Sequence, residues 1–159
     1  MLDKLMKNGS YRIDYFSPHA CGTDAAYGFY VRGDVSDNSA YSISAKRHLY
    51  AGMLVIEETL GMKDLVGVYV DVDRAENIRR PAYQAMKADI RKGYFTRIFV
   101  MCPEDLLSDL RCSADLMELE NEVGNLTIIT YNEESGQLET VEVETEKKPE
   151  GLCASAVLW

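Results

Sequence analysis

Five carboxylates, one arginine and a cluster of basic residues stand where the sequence could place chemistry. Arg32 closes the apolar run from Ala25 to Val31, with Asp34 two residues on. An arginine at the exit of a buried segment needs a carboxylate or solvent, and Asp71 and Asp105, which follow later apolar runs, are its candidate partners. Asp105 is also well placed to cap the helix that follows Pro103. Together with Asp73 and Glu76, these two carboxylates could supply oxygen ligands to magnesium near strand ends. Arg79, Arg80, Lys87 and Arg91 could meet a phosphate or simply form a solvated helix face. His48 reads as a surface or boundary residue of a helix.

Several chemistries lack their sequence signatures. No Gly-rich phosphate loop, Ser-His-Asp order or paired acidic motif is present. Cys21, Cys102, Cys112 and Cys153 are widely spaced, without a Cys-x-x-Cys pair, and only His19 and His48 could complete a zinc set. They are expected to be reduced thiols, and no cofactor is expected. The 17 Lys and Arg against 26 Asp and Glu leave a formal charge of -9. Such a field repels a nucleic-acid backbone, although Lys46, Arg47, Arg74, Arg97 and their basic neighbours leave room for a local positive face. No apolar stretch has the length of a membrane span and no signal peptide is recognisable, so a cytoplasmic protein is expected.

The 159 residues suit one domain. Residues 1–24 read as an irregular extension or a short helix and a loop. From residue 25, four apolar runs alternate with helical patterns: Ala25–Val31, Leu65–Val70, Arg97–Cys102 and Leu126–Thr130 as strands. Ser42 or Ser44 would cap a first helix with Leu49, Met53, Ile56 and Leu60 on one face, ended by Gly61. Pro81 would open a second, carrying Ala82, Met86 and Ile90. A third would run from Pro103 to about Val123 with Leu107, Leu110, Ala114 and Met117 inward. Runs this continuously apolar predict a mostly parallel, four-stranded sheet with helices on both faces, an α/β fold of three layers. A turn at Glu133–Gly136 and alternation around Val141, Val143 and Thr145 predict a C-terminal antiparallel edge hairpin. Leu152–Trp159 is apolar enough to dock on the domain or on a second copy.

Several fragments, in order over residues 25–135, make this stretch resemble the catalytic domain of serine site-specific recombinases, the resolvases, invertases and transposon integrases. The family's first strand ends in Tyr-x-Arg-Val-Ser; here it is Tyr30-Val31-Arg32-Gly33-Asp34. Its Ser-Leu-x-x-Gln element is similar to Ser42-Ile43-Ser44-Ala45-Lys46, and its Tyr-x-Asp and Arg-Pro fragments are similar to Tyr69-Val70-Asp71 and Arg80-Pro81. The family's Asp-Arg-Leu-x-Arg is Asp105-Leu106-Leu107-Ser108-Asp109, which keeps the aspartate and loses both arginines.

The resemblance implies a resolvase-like fold and a site made of Arg32, Asp34, Ser36, Arg80 and Asp105. Asp34 takes the strict nucleophile position, while a two-residue insertion would align Val35-Ser36 with the family's Val-Ser. Ser36 also fits an ordinary turn in Ser36-Asp37-Asn38-Ser39. Attack of serine on a phosphodiester needs cations around the phosphoryl oxygens, and a carboxylate in place of one adds repulsion to the lost attraction. The implied function is a degenerate domain of mobile-element origin that no longer exchanges strands and works through a second copy or a recombinase-like partner. No segment up to Trp159 reads as the family's long dimerisation helix or DNA-binding region, so DNA binding by the chain alone is expected to be weak or absent. The alternatives are an active module using Ser36 with partner subunits, and a small-molecule or magnesium-dependent enzyme on a similar sheet.

Overall fold

A computed structural model describes residues 9–34 and 43–141. Six strands, β1 (Tyr11–Tyr15), β2 (Tyr27–Gly33), β3 (Leu65–Val72), β4 (Arg97–Phe99), β5 (Thr127–Asn132) and β6 (Gln137–Val141), form one mixed sheet in the order β1-β3-β2-β4-β5-β6. The four central strands are parallel, and β1 and β6 run antiparallel on the two edges. The helices are α1 (Ile43–Val55, prolonged by a wider turn over Ile56–Leu60), α2 (Pro81–Arg91), α3 (Glu104–Leu107) and α4 (Leu110–Val123). Among the described residues no helix is long and apolar enough to cross a membrane.

β2 and β3 are buried along their whole length because helices cover both faces. Phe29, Val31, Val68 and Val70 pack with Ala45, Val55 and Ile56 of the α1 segment on one face; Tyr30, Val66 and Tyr69 pack with Met86, Ile90, Leu116 and Leu119 of α2 and α4 on the other. Strand alternation alone would put Val66 and Val68 on one face. A bulge, where Tyr27 pairs with Leu65 but Gly28 with Gly67, inserts Val66 and reverses the phase. α1 sits so close that a Cβ on Gly52 would fall 2.1 Å from the Phe29 ring.

The sheet differs from the expected four strands plus a hairpin. The hairpin is present, with β6 beginning at Gln137, although Val143 and Thr145 lie outside the described residues. Residues 11–15, expected to be irregular, form β1, with Tyr11 opposite Asp71 and Ile13 opposite Tyr69. An edge strand needs no apolar run; its signal is the weak alternation of Tyr11-Arg12-Ile13-Asp14-Tyr15, with Arg12 and Asp14 hydrogen-bonded at 2.7 and 3.1 Å.

The expected third helix is broken in two. Asp109 takes extended backbone and accepts from the N–H of Arg111 at 2.8 Å, which caps α4 and restarts the helical phase. Its inward residues are therefore Cys112, Leu116 and Leu119, while Leu110 is 56% exposed. Gly124 ends α4 in the left-handed conformation at φ 83°.

Candidate functional site

The chain leaves β2 through α1 to reach β3, then recrosses to the other side of β2 through α2 to form β4. Crossovers diverging from one strand open a crevice at its carboxyl end, where doubly wound sheets bind ligands. Arg32 ends β2 at this point, and Cys102, Pro103 and α3 follow β4 into it.

Three of the expected site residues meet here. Arg32 is only 9% exposed; its Nη1 donates to Asp34 Oδ1 at 3.0 Å and to the Asp73 carbonyl at 3.1 Å. Its Nε is the one buried side-chain N or O without a hydrogen-bond partner among the described residues. The Asp34 side chain is 73% exposed, and its N–H donates to Ser44 Oγ at 2.7 Å. Asp105, 2% exposed, accepts from the main-chain N–H of Arg32 and bonds His48 Nδ1 through Oδ2 at 3.0 Å. It does not cap α3, which starts at Glu104 without a side-chain cap. Arg32 pairs in register with Asp71, but their side chains take different partners.

His48 and Cys102 complete the group. Cys102 Sγ lies 3.4 Å from His48 Nε2, so the ring bridges thiol and carboxylate. The bond to Asp105 raises the His48 pKa above its ordinary value, against the opposing pull of burial. Burial, and then the charge of Asp105, push the Cys102 thiol up to about 11. Burial likewise raises Asp105, with His48 opposing the shift. In the sequence His48 passes for a boundary residue and Cys102 for one of four scattered thiols. The only hints are a histidine four residues past Ser44 and a cysteine at a strand exit.

Compared with family models, curated proteins and solved structures, the chain matches none.

Arg80 lies elsewhere, fully buried at the start of α2. Its Nε donates to Tyr30 Oη at 2.8 Å and its Nη1 to the carbonyls of Ala75, Asn77 and Arg74 at 2.8, 3.2 and 3.3 Å. The guanidinium also stands 4.8 Å from the centre of the Tyr83 ring. Tyr30 donates in turn to Asp71 Oδ2 at 2.8 Å, and Asp71 accepts the N–H groups of Ala82 and Tyr83 at 2.9 and 2.8 Å. Asp71 thus takes the place of a local N-cap for α2. Burial raises the Asp71 pKa despite these donors, and Tyr30 is raised well above its ordinary value by burial and then by Asp71.

The remaining candidates disperse. Asp71 and Asp105 belong to separate networks, and Asp73 accepts from Arg74 N–H and Asn77 Nδ2. Among the described residues no group of three His, Cys, Asp or Glu could hold a metal. Lys87, expected on a solvated or phosphate-binding face, is buried against Asp115 at 2.6 Å, and Arg91 pairs with Glu122. Ser36, Ser42 and Leu152–Trp159 lie outside the described residues.

Proposed function

We propose that the chain is a resolvase-like domain, related to the serine recombinases of mobile elements, that has lost strand exchange and acts in the cytoplasm through contact with a second copy of itself or a recombinase-like protein. The observation that carries this reading is the charge around Arg32. Its Nη1 is taken by Asp34 and a carbonyl, and the carboxylate of Asp105 lies against its main chain. A phosphodiester entering there would meet two carboxylates where phosphoryl transfer needs cations. Of the two positions that carry arginine in the family, Leu106 is 1% exposed in the core and Asp109 caps α4. For contact with a second copy, α1 offers Tyr50 and Leu54, 60% and 58% exposed and one turn apart.

The test is to incubate the chain with duplex DNA over a range of salt concentrations and look for protein covalently joined to DNA on a denaturing gel. No adduct is expected at any salt. An adduct that disappears in Ser36→Ala would replace this reading with an active recombinase module. Sedimentation then measures self-association, which Tyr50→Ser should weaken; equal sedimentation of the two proteins would remove α1 as the contact.

A further inference from the structure

We propose that Cys102 is a nucleophilic thiol directed at an acyl carbonyl, an ester or thioester, with His48 as its proton acceptor and Asp105 as the group that positions His48. The inference goes beyond the reading above and does not rest on it, because His48 and Cys102 stand outside what a recombinase lineage explains and Asp105 enters here only as the partner of His48.

Geometry carries it. A nucleophile, a base within reach and a carboxylate behind the base are the parts of a Cys-His-Asp relay. Here they lie in that order, with Sγ 3.4 Å from Nε2 and Nδ1 3.0 Å from the carboxylate. The Nδ1–H donated to Asp105 leaves the Nε2 lone pair facing the thiol, the tautomer a base requires. Asp105 is held from behind by the Arg32 main chain and is 2% exposed, so it has little freedom to turn to water. The thiol is only partly buried, just past the carboxyl end of β4, the side of the sheet on which doubly wound folds bind ligands.

Arg32 is the independent sign of a ligand. Its Nε is a buried donor without a partner among the described residues, and its charge acts on both His48 and Asp105. A buried donor left unmet is unfavourable, and an oxygen acceptor reaching it would satisfy it.

The reaction balances without a cofactor. As Sγ bonds to the carbonyl carbon, its proton passes to His48 Nε2. The bond to the leaving oxygen or sulfur then breaks, and that atom takes the proton from His48. Water attacks the resulting thioester and gives His48 a proton, the C–S bond breaks, and the proton returns to Sγ. The neighbouring charges favour this route over a standing thiolate. Asp105, Glu104 and Glu133 all disfavour an ionised Cys102, whose pKa is about 11. Asp105 and Asp34 raise the His48 pKa, while Arg32 and burial oppose them.

The test uses the full chain and p-nitrophenyl acetate, with mass spectrometry to find which cysteine carries the acetyl group. Cys21, also partly buried, is the reference within the same molecule. Acetylation of Cys102 is expected to be at least about tenfold faster than that of Cys21 near neutral pH, and His48→Asn to remove at least about tenfold from Cys102 alone. In the unsubstituted protein the Cys102 rate should rise with a midpoint somewhat above about 6.5, as His48 loses its proton. Equal rates at the two cysteines, a Cys102 rate unaffected by His48→Asn, or a midpoint near 11 would each overturn the proposal. The pH profile requires no variant, so the proposal stays exposed to refutation if His48→Asn fails to fold.

Discussion

Arg32 and Arg80 are both nearly buried, yet their surroundings are opposites. Arg80 spends its donors on Tyr30 and three carbonyls, with Asp71 close behind, and joins β2, β3 and α2. Arg32 has an exposed carboxylate and one carbonyl on Nη1, and its Nε has no partner among the described residues. A fully satisfied buried cation holds a fold together, whereas a partly satisfied one is held by the fold. The two sites thus separate structural from chemical use of the same side chain.

The largest test of this contrast is Arg80→Met, which leaves Tyr30 and the three carbonyls facing an apolar chain and takes the counter-charge from Asp71. It should cost about 3–5 kcal/mol in urea unfolding; a loss below about 1 kcal/mol would erase the distinction. Asp71→Asn keeps the shape but gives up one acceptor oxygen while the two N–H groups of α2 remain. A loss of about 1–3 kcal/mol is expected, with faster amide exchange at Ala82 and Tyr83. For Arg32→Met the change should stay within about 1 kcal/mol in either direction, because its ionic partner is exposed. A loss as large as that of Arg80→Met would make Arg32 structural as well.

The smallest effect is a pH dependence. The folded pKa of His48 is raised, so its bond to Asp105 contributes stability that is full below about 6.5 and fades as pH rises through the folded value. The unfolding free energy from urea titration should decline by on the order of 1 kcal/mol or less across that range, and His48→Asn should flatten that component.

Much of the fold was legible because parallel strands covered on both faces announce themselves as apolar runs. Val68, Val70, Ile98 and Phe99 needed no partner information to be read as core. The edges and phases were harder. β1 carries only a faint alternation, and a cap at Asp109 reset α4 so that Leu110, assigned inward, points to water. The site divided along the same line. Arg32 and Asp105 were legible at strand exits, whereas Arg80 was placed with them although the fold sends it to α2. His48 and Cys102 stand 54 residues apart and meet only when the crossover lays α1 beside the end of β4; neither neighbourhood alone contains their chemistry.

The carboxylate of Asp71 also has a kinetic meaning. The first turn of α2 borrows its acceptor from a strand more than ten residues upstream instead of from a residue beside it. A helix capped in this way gains that support only once β3 is in place. Strand and helix should therefore open and close together, with matched exchange lifetimes for the amides of β3 and of the first turn of α2. Asp71→Asn should also slow refolding more than it speeds unfolding, the mark of a contact already made at the barrier.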